Sequence, residues 1–429
     1  MTGQGRYLVV GLRRSGLAAC EAIARMWPGS RVIATDSAPG IDLGRLSAAG
    51  AEYRAWGEEL ELAGVDAVIK SPGVPGQAPP VAAARQAGVP VWSEVELAAR
   101  MLPNPLVGIT GTNGKTTTTE LAGAMLAAGG VPAEVAGNVG RALSELPGRV
   151  DPGAWIVCEL SGFQLEDIDT LSCRVAAVLN VTPDHLDRHG SLEAYAQAKL
   201  RIFENQRDGD TAIVNADDPY LAAAELPGRG TRVAVSRADA ASIDWEHSGL
   251  RGDHNLENAL VAAAAARAVG VEQEAIDRAL RDFQPPPHRM QTVASGGGIE
   301  FVDDSKATNP DAVIKGLTAY RSGVHLILGG SLKGASFAPL AAAVADGPVA
   351  GVYLIGQAAG AIGDALDAAG VAHTDSRTLE QAVADAAAAA RPGDVVLLSP
   401  ACASFDQFTD YEHRGREFAR IAGEVAGGL

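Results

Sequence analysis

Short apolar runs alternate with longer alanine-rich stretches along most of this chain, and the two periods predict different elements. Tyr7-Leu-Val-Val-Gly11 has the continuous apolar character of a strand buried on both faces; the glycine turn Leu12-Arg-Arg-Ser-Gly16 and a helical stretch from Leu17 follow it. Two later segments repeat the plan. Leu106-Val-Gly-Ile-Thr110 runs into Gly111-Thr-Asn-Gly-Lys-Thr116, and Val324-His-Leu-Ile-Leu328 runs into Gly329-Gly-Ser-Leu-Lys-Gly334. Further runs, Asp66-Ala-Val-Ile-Lys70, Trp155-Ile-Val-Cys158, Ala176-Ala-Val-Leu-Asn180 and Asp394-Val-Val-Leu-Leu398, alternate with helical stretches. Such alternation predicts an α/β chain of parallel sheets with helical crossovers.

One helical stretch carries an unexpected residue. After Ser191, the positions Leu192, Tyr195, Ala196, Lys199, Ile202 and Phe203 share one stripe of a 3.6-residue period, which sets Lys199 on the side that packs inward. Either its stem lies along the core and the ammonium reaches water, or the amine is enclosed. An enclosed ammonium facing a divalent ion at ~4.5 Å, in an effective dielectric of ~20, would meet a repulsion of roughly 7 kcal/mol. In that case its charge must change.

Two proline stretches, Leu102-Pro-Asn-Pro105 and Gln284-Pro-Pro-Pro-His288, break the helical pattern and are expected to be hinges. They divide the 429 residues into three expected domains: 1–98, 99–286 and 287–429. No apolar run is long enough to cross a bilayer and no signal peptide is evident, so the chain is expected to be cytoplasmic, without a membrane span. Cys20, Cys158, Cys173 and Cys402 lack Cys-x-x-Cys spacing, which predicts free thiols and no zinc site. A formal charge of −17 with no Lys/Arg run argues against a nucleic-acid partner. Positive charge is instead local: Arg13, Arg14, Lys115, Arg289, Lys306 and Lys333 each sit beside glycine, proline or a turn, where single cations bind small anions.

The strongest chemical signal is Gly111-Thr112-Asn113-Gly114-Lys115-Thr116 between a strand and a helix. In such a loop, backbone N–H groups face phosphate oxygens, the lysine reaches the outer phosphates, and the threonine hydroxyl ligates Mg²⁺. The loop departs from the usual pattern in having Ile109 where the first glycine normally stands. Glu159 follows the strand Trp155–Cys158, at the edge where an NTPase keeps a metal-associated acid, and Asp184 and His185 follow the next strand toward the same edge. Asn255 and Asn258 open another helix; an amide there suits either a purine or a helix cap.

In order along the chain, Gly-Thr-Asn-Gly-Lys-Thr, Gly137-Asn-Val-Gly140, Asn180-Val-Thr-Pro-Asp-His-Leu-Asp187, Ala198-Lys-Leu-Arg201, His254-Asn-Leu-Glu-Asn258, Asp304-Ser-Lys-Ala-Thr-Asn309 and Ser399-Pro-Ala-Cys-Ala-Ser404 resemble the Mur ligase family, which joins amino acids to the peptidoglycan precursor. Asp-Ser-Lys-Ala-Thr-Asn points to the D-glutamate-adding members.

The resemblance implies a Rossmann-like N-terminal domain for the UDP-sugar, a central P-loop ATPase domain with a mostly parallel sheet, and a Rossmann-like C-terminal domain for the amino acid. It further implies ATP and two Mg²⁺ ions, a carbamate on Lys199, a monomer, and the substrates UDP-N-acetylmuramoyl-L-alanine and D-glutamate. The catalytic positions would be Lys115, Asn138, His185 and Lys199. Thr116, Glu159, His185 and Lys199 would serve metal. ATP would meet Gly111 to Thr117, including Thr112, Asn113 and Gly114, with Asn258, Arg289 and Asp304. Arg13, Arg14, Ser15, Asp36, Ser37, Ser71, Gly73, Asn138 and His185 would hold the UDP-substrate, and Lys306, Thr308, Lys333, Ser404 and Tyr411 would hold D-glutamate.

Three other readings compete. A nicotinamide oxidoreductase is suggested by the first strand-turn-helix with Asp36, but Arg13 occupies the position where a second glycine admits a pyrophosphate. A nucleotide switch needs no acceptor-site lysines. A folylpolyglutamate synthetase-like ligase shares the chemistry and differs in requiring no UDP-sugar.

Overall fold

A computed structural model describes residues 3–58, 60–138, 140–184, 186–250, 252–284, 287–332 and 336–429. Its strands form three sheets. The first has β1 (Arg6–Val10), β2 (Arg31–Thr35), β3 (Ala51–Tyr53), β4 (Ala67–Lys70) and β5 (Val91–Ser93), in the order β3-β2-β1-β4-β5 with every pair parallel. The second has β6 (Leu106–Thr110), β7 (Ala133–Gly137), β8 (Trp155–Glu159), β9 (Val175–Val178), β10 (Thr211–Asn215) and β11 (Thr231–Val235), in the order β11-β10-β9-β6-β8-β7, again parallel throughout. In the third, β12 (Gln291–Gly296), β13 (Ile299–Asp303), β14 (Val324–Gly329), β15 (Val349–Ile355), β16 (Thr374–Arg377) and β17 (Val395–Ala401) run β12-β13-β17-β14-β15-β16. Only the edge pair β12–β13 is antiparallel there.

The parallel sheets explain the continuous apolar runs. With helices on both faces, every position of β6 and β14 is buried, so alternation disappears and valine, isoleucine and leucine follow one another. In the third sheet, Leu326 and Leu328 pack into one apolar cluster and Ile327 into the cluster on the other face.

By contacts the chain forms two compact units. One contains Met1–Val181, Glu193–His247 and Glu257–Phe283, and so holds the first two sheets; the other contains Thr182–Leu192, Ser248–Leu256 and Gln284–Leu429. Within the first unit the two sheets are joined by buried polar residues. Glu96, with none of its surface exposed, accepts from the amides of Asp169, Thr170 and Leu171, the Thr170 hydroxyl and Arg100 Nε. Burial works to raise its pKa, but these donors hold the carboxyl below its ordinary value. The proline stretch at 102–105 is itself tied in: Asn104 Nδ2 donates to the carbonyls of Asp151 and Ala154, both at 2.8 Å.

Candidate active site

The phosphate loop sits where a doubly wound sheet presents ligands, between the carboxyl end of β6 and the helix Lys115–Ala128. Gly114 caps that helix with φ +83°, and a Cβ there would lie 2.1 Å from Asn258 Oδ1. This close approach sets Asn258, itself buried, against the loop. Asn180, just beyond β9, holds the other side: its Oδ1 accepts from Asn113 N at 2.8 Å, its carbonyl accepts from Thr112 N at 3.0 Å, and its Nδ2 donates to Asn113 O at 3.1 Å. Thr112 and Thr117 are buried within the loop and the first helical turn.

Five side chains proposed from sequence converge on this loop. Thr116 Oγ1 donates to Glu159 Oε2 at 2.8 Å, and Asn138 Nδ2 donates to Glu159 Oε1 at 2.9 Å. Glu159 ends β8 with 2% of its surface exposed. Gly137, just before Asn138, has φ +112° and no room for a Cβ, which would lie 2.3 Å from Glu159 O. Lys115 Nζ donates to Gly111 O at 2.9 Å and Thr112 O at 2.8 Å. Lys199 Nζ donates to Gly111 O at 2.8 Å and lies 4.1 Å above the Tyr195 ring.

Lys199 is 1% exposed, so the enclosed alternative holds and the snorkelling one does not. The inward stripe is less regular than one continuous helix would make it. The helix Leu192–Leu200 gives way to a 3₁₀ turn at Arg201–Phe203, and Leu192 is only half-buried. Asp184, which follows β9, accepts at Oδ2 from Asn309 Nδ2 at 3.4 Å. His185, expected beside Glu159, and Lys333 lie outside the described residues.

Among the described residues no trio of His, Cys, Asp or Glu side chains gathers as a metal cluster. The donor set around Glu159 still fits Mg²⁺. That ion takes one or two protein oxygens and fills its octahedron with water and phosphate oxygens, and Thr116 Oγ1 and Glu159 Oε2 supply such a pair.

At the first sheet, Arg13 and Arg14 are exposed and Ser15 half-buried at the start of the helix Arg14–Met26, with Arg14 Nε 3.7 Å from Glu145. Asp36 braces the turn, its carboxylate accepting from the amides of Leu12 and Ala38. Ser37 is exposed beside it. Ser71 is buried, with Oγ donating to Gly11 O at 2.7 Å, and Gly73 follows in an open turn.

In the second unit, Arg289 lies just before β12, and Asp304, Lys306, Thr308, Ser404 and Tyr411 lie on the loops after β13 and β17 and at the start of the helix Tyr411–Ala426. Asp304 accepts from Ser399 Oγ at 2.7 Å, and burial pushes its carboxyl up to about 7 despite that bond and nearby Arg289. Lys306 Nζ lies 3.7 Å above the Tyr411 ring, Thr308 N donates to Lys306 O, and Ser404 is buried with its carbonyl receiving Phe408 N.

Arg414, missed from sequence, organises this group. It is 1% exposed; its Nε donates to Ser305 Oγ at 2.9 Å, one terminal nitrogen to Ser305 O at 2.8 Å, and the other to Cys402 O at 3.1 Å. Thus one guanidinium ties the loop after β13 to the loop after β17, and burial brings it down to about 10. The signal was available: Arg414 shares a helical stripe with Phe418, Ile421 and Ala422, the same inward-cation pattern that exposed Lys199.

Comparison with known proteins places this arrangement. The Mur ligase middle domain model matches residues 109–242 and the Mur ligase glutamate ligase domain model residues 288–402. Proteins named UDP-N-acetylmuramoylalanine--D-glutamate ligase from Anaeromyxobacter dehalogenans and Solibacter usitatus are 45% and 42% identical, the first over 98% of both chains and the second over 97% of both. Among solved structures, the MurF ligase of Thermotoga maritima in complex with ADP matches with TM-score 0.64 at 17% identity, covering 100% of this chain and 99% of that one. The UDP-N-acetylmuramate-alanine ligase of the same organism matches with TM-score 0.59 at 19% identity over 97% and 99%. These structures share the fold, and the full-length relatives and both family models show that this chain belongs to the Mur ligase family of amide-bond-forming enzymes.

Proposed function

We propose that the chain joins D-glutamate to UDP-N-acetylmuramoyl-L-alanine, driven by ATP, in the synthesis of the peptidoglycan precursor. The observation that carries the phosphoryl chemistry is the convergence of Lys115, Thr116, Asn138, Glu159 and Lys199 on one glycine loop. The substrate assignment is supported by full-length relatives of that name and by Asp304-Ser-Lys-Ala-Thr-Asn309.

In this reading the domains are 1–98 for the UDP-substrate, 99–286 for ATP and 287–429 for the amino acid. Backbone amides of Gly111 to Thr117 and the Lys115 ammonium receive the phosphates, and Asn258, Arg289 and Asp304 meet the rest of the nucleotide. The substrate carboxylate takes the γ-phosphoryl group; the D-glutamate amine attacks the resulting acyl phosphate, and phosphate leaves as the amide bond forms. Lys115 stabilises charge on the transferring group, and Asn138 with His185 orients the carboxylate. Thr116 and Glu159, with His185 and a carbamate on Lys199, would hold Mg²⁺, which when bound would supply neutralisation of phosphate charge. Lys306, Thr308, Lys333, Ser404 and Tyr411 receive D-glutamate, whose two carboxylates need donors and positive charge. Arg13, Arg14, Ser15, Asp36, Ser37, Ser71 and Gly73 form the UDP side.

Release of ADP and phosphate is the test, measured with UDP-N-acetylmuramoyl-L-alanine and a panel of D- and L-amino acids. Turnover confined to D-glutamate supports the assignment. Turnover with a pteroyl substrate and none with the UDP-sugar would move the chain to the folylpolyglutamate synthetase-like branch.

A further inference from the structure

Lys70 has no part in the chemistry above. It ends β4, immediately before Ser71, and none of its surface is exposed. An ammonium without access to solvent cannot meet a substrate, and it stays charged in the interior only with a partner. Its Nζ lies 2.8 Å from Asp167 Oδ2 and 3.8 Å from Glu166 Oε2. The Asp167 contact is an ion pair, and among the described residues neither Lys70 Nζ nor Asp167 Oδ2 makes a hydrogen bond.

Asp167 collects three elements of the first sheet's layer. Besides Lys70 from β4, Arg85 of the helix Pro79–Gln86 reaches Asp167 Oδ1 at 2.7 Å, and the amide of Ser93 in β5 donates to its carbonyl at 2.8 Å. Asp167 itself belongs to the segment between β8 and β9 of the second sheet. From Lys70 the connection continues into the candidate UDP loops. Ser71 N donates to Val10 O at 3.0 Å and Ser71 Oγ to Gly11 O at 2.7 Å. Gly11 N donates to Thr35 O at 2.9 Å, and the next amide, Leu12 N, is received by Asp36. Slack is absent at the crossing: Gly11 has φ +89°, and a Cβ there would lie 2.9 Å from Ser71 Cβ.

We infer that Lys70 is a positioning residue, whose buried pair with Asp167 fixes the loops Gly11–Leu12 and Ser71–Gly73 relative to the sheet that carries the phosphate loop. A buried ion pair adds little net stability over an apolar replacement, so its effect falls on geometry. The tether rests on contacts alone; only its consequence for substrate rests on the UDP reading.

The test is amide exchange in the wild-type chain and Lys70→Met, with binding measured on the same samples. The Gly11 and Ser71 amides should exchange at least about tenfold faster in Lys70→Met, while those of Thr112, Asn113 and β14 keep their rates. The Kd for UDP-N-acetylmuramoyl-L-alanine should rise about tenfold and that for ADP stay within about twofold. Lys70→Arg, which keeps the charge, should recover most of both effects. Asp167→Asn should reproduce the pattern, with Lys70→Met/Asp167→Asn no worse than either alone, and it carries the test if Lys70→Met does not fold. Unchanged exchange at Gly11 and Ser71 overturns the inference, as does acceleration spread evenly over the first unit including the phosphate loop. If exchange follows the expected pattern while the wild-type chain does not bind the UDP-sugar, the tether stands and the substrate assignment fails.

Discussion

Lys115 and Lys199 donate to the same carbonyl oxygen, that of Gly111, at 2.9 and 2.8 Å. Lys115 reaches it from within the loop; Lys199 comes from a helix more than eighty residues later and is enclosed. Two ammonium groups on one acceptor repel, and a divalent ion near Glu159 would add to the repulsion. Conversion of Lys199 to a carbamate would turn that repulsion into attraction toward both Lys115 and the ion.

Lys199→Ala is therefore expected to lose nearly all turnover, and a short carboxylic acid in the buffer should restore part of it by filling the anionic position. Lys199→Arg should resist rescue, because the guanidinium keeps the positive charge and occupies the space. Retention of most activity by Lys199→Ala, or a native mass without the added carbamate under conditions that preserve it, counts against the assignment.

Lys115→Ala should lower turnover by about 10³-fold, or about 4 kcal/mol, because a phosphate clamp acts mainly in the transition state. Binding of the UDP-substrate, titrated separately, should remain within about threefold of wild type. Activity within about tenfold of wild type would remove the loop lysine from the mechanism.

Gly114→Ala tests the loop's shape. The residue has φ +83°, and the new Cβ would lie 2.1 Å from Asn258 Oδ1, so the substitution strains the backbone and displaces a candidate nucleotide contact. ADP affinity should fall by at least about tenfold, consistent with 1–2 kcal/mol for a non-glycine residue in this region plus the displaced amide. Gly209→Ala serves as control: its φ is +92° but nothing lies within 4 Å, so it should destabilise the fold without touching ADP affinity. Equal ADP binding by Gly114→Ala and wild type would refute the account of Gly114.

Asp304 gives the second unit a pH dependence of definite sign. Its carboxyl is raised from 3.8 to about 7, chiefly by burial, so between those values the folded state keeps a proton that the unfolded state releases. Stability from this group is complete below the unfolded pKa and falls as pH rises through the folded one, by on the order of 4 kcal/mol. Amide exchange in β13 and β17 should be slower at pH 5 than at pH 8 after correction for intrinsic rates. Asp304→Asn should flatten that difference, and a difference that persists unchanged would assign it to another group.

Arg414→Met should raise the KM for D-glutamate by at least about tenfold, because its three bonds hold the loops carrying Ser305 and Cys402. A wild-type KM in a folded variant would show that these loops keep their places without it.

The sequence alone determined the elements and much of the chemistry. Apolar runs buried on both faces, as in β6 and β14, cannot be mistaken for half-exposed strands, and glycine turns between strand and helix mark phosphate loops. Periodicity also turned Lys199 inward, because a helix assigns each residue a direction from its own repeat. Tertiary structure decided what depends on partners distant in the chain. No local pattern shows that Glu159 joins Thr116 to Asn138, or that Asn180 serves Asn113. Nor does the proline stretch at 102–105 reveal whether it hangs free or is bonded to Asp151 and Ala154. Lys70 and Arg414 were passed over because charge argues for the surface until a pairing group is known; for Lys70 that group is Asp167, ninety-seven residues away by sequence number, and only folding brings them together.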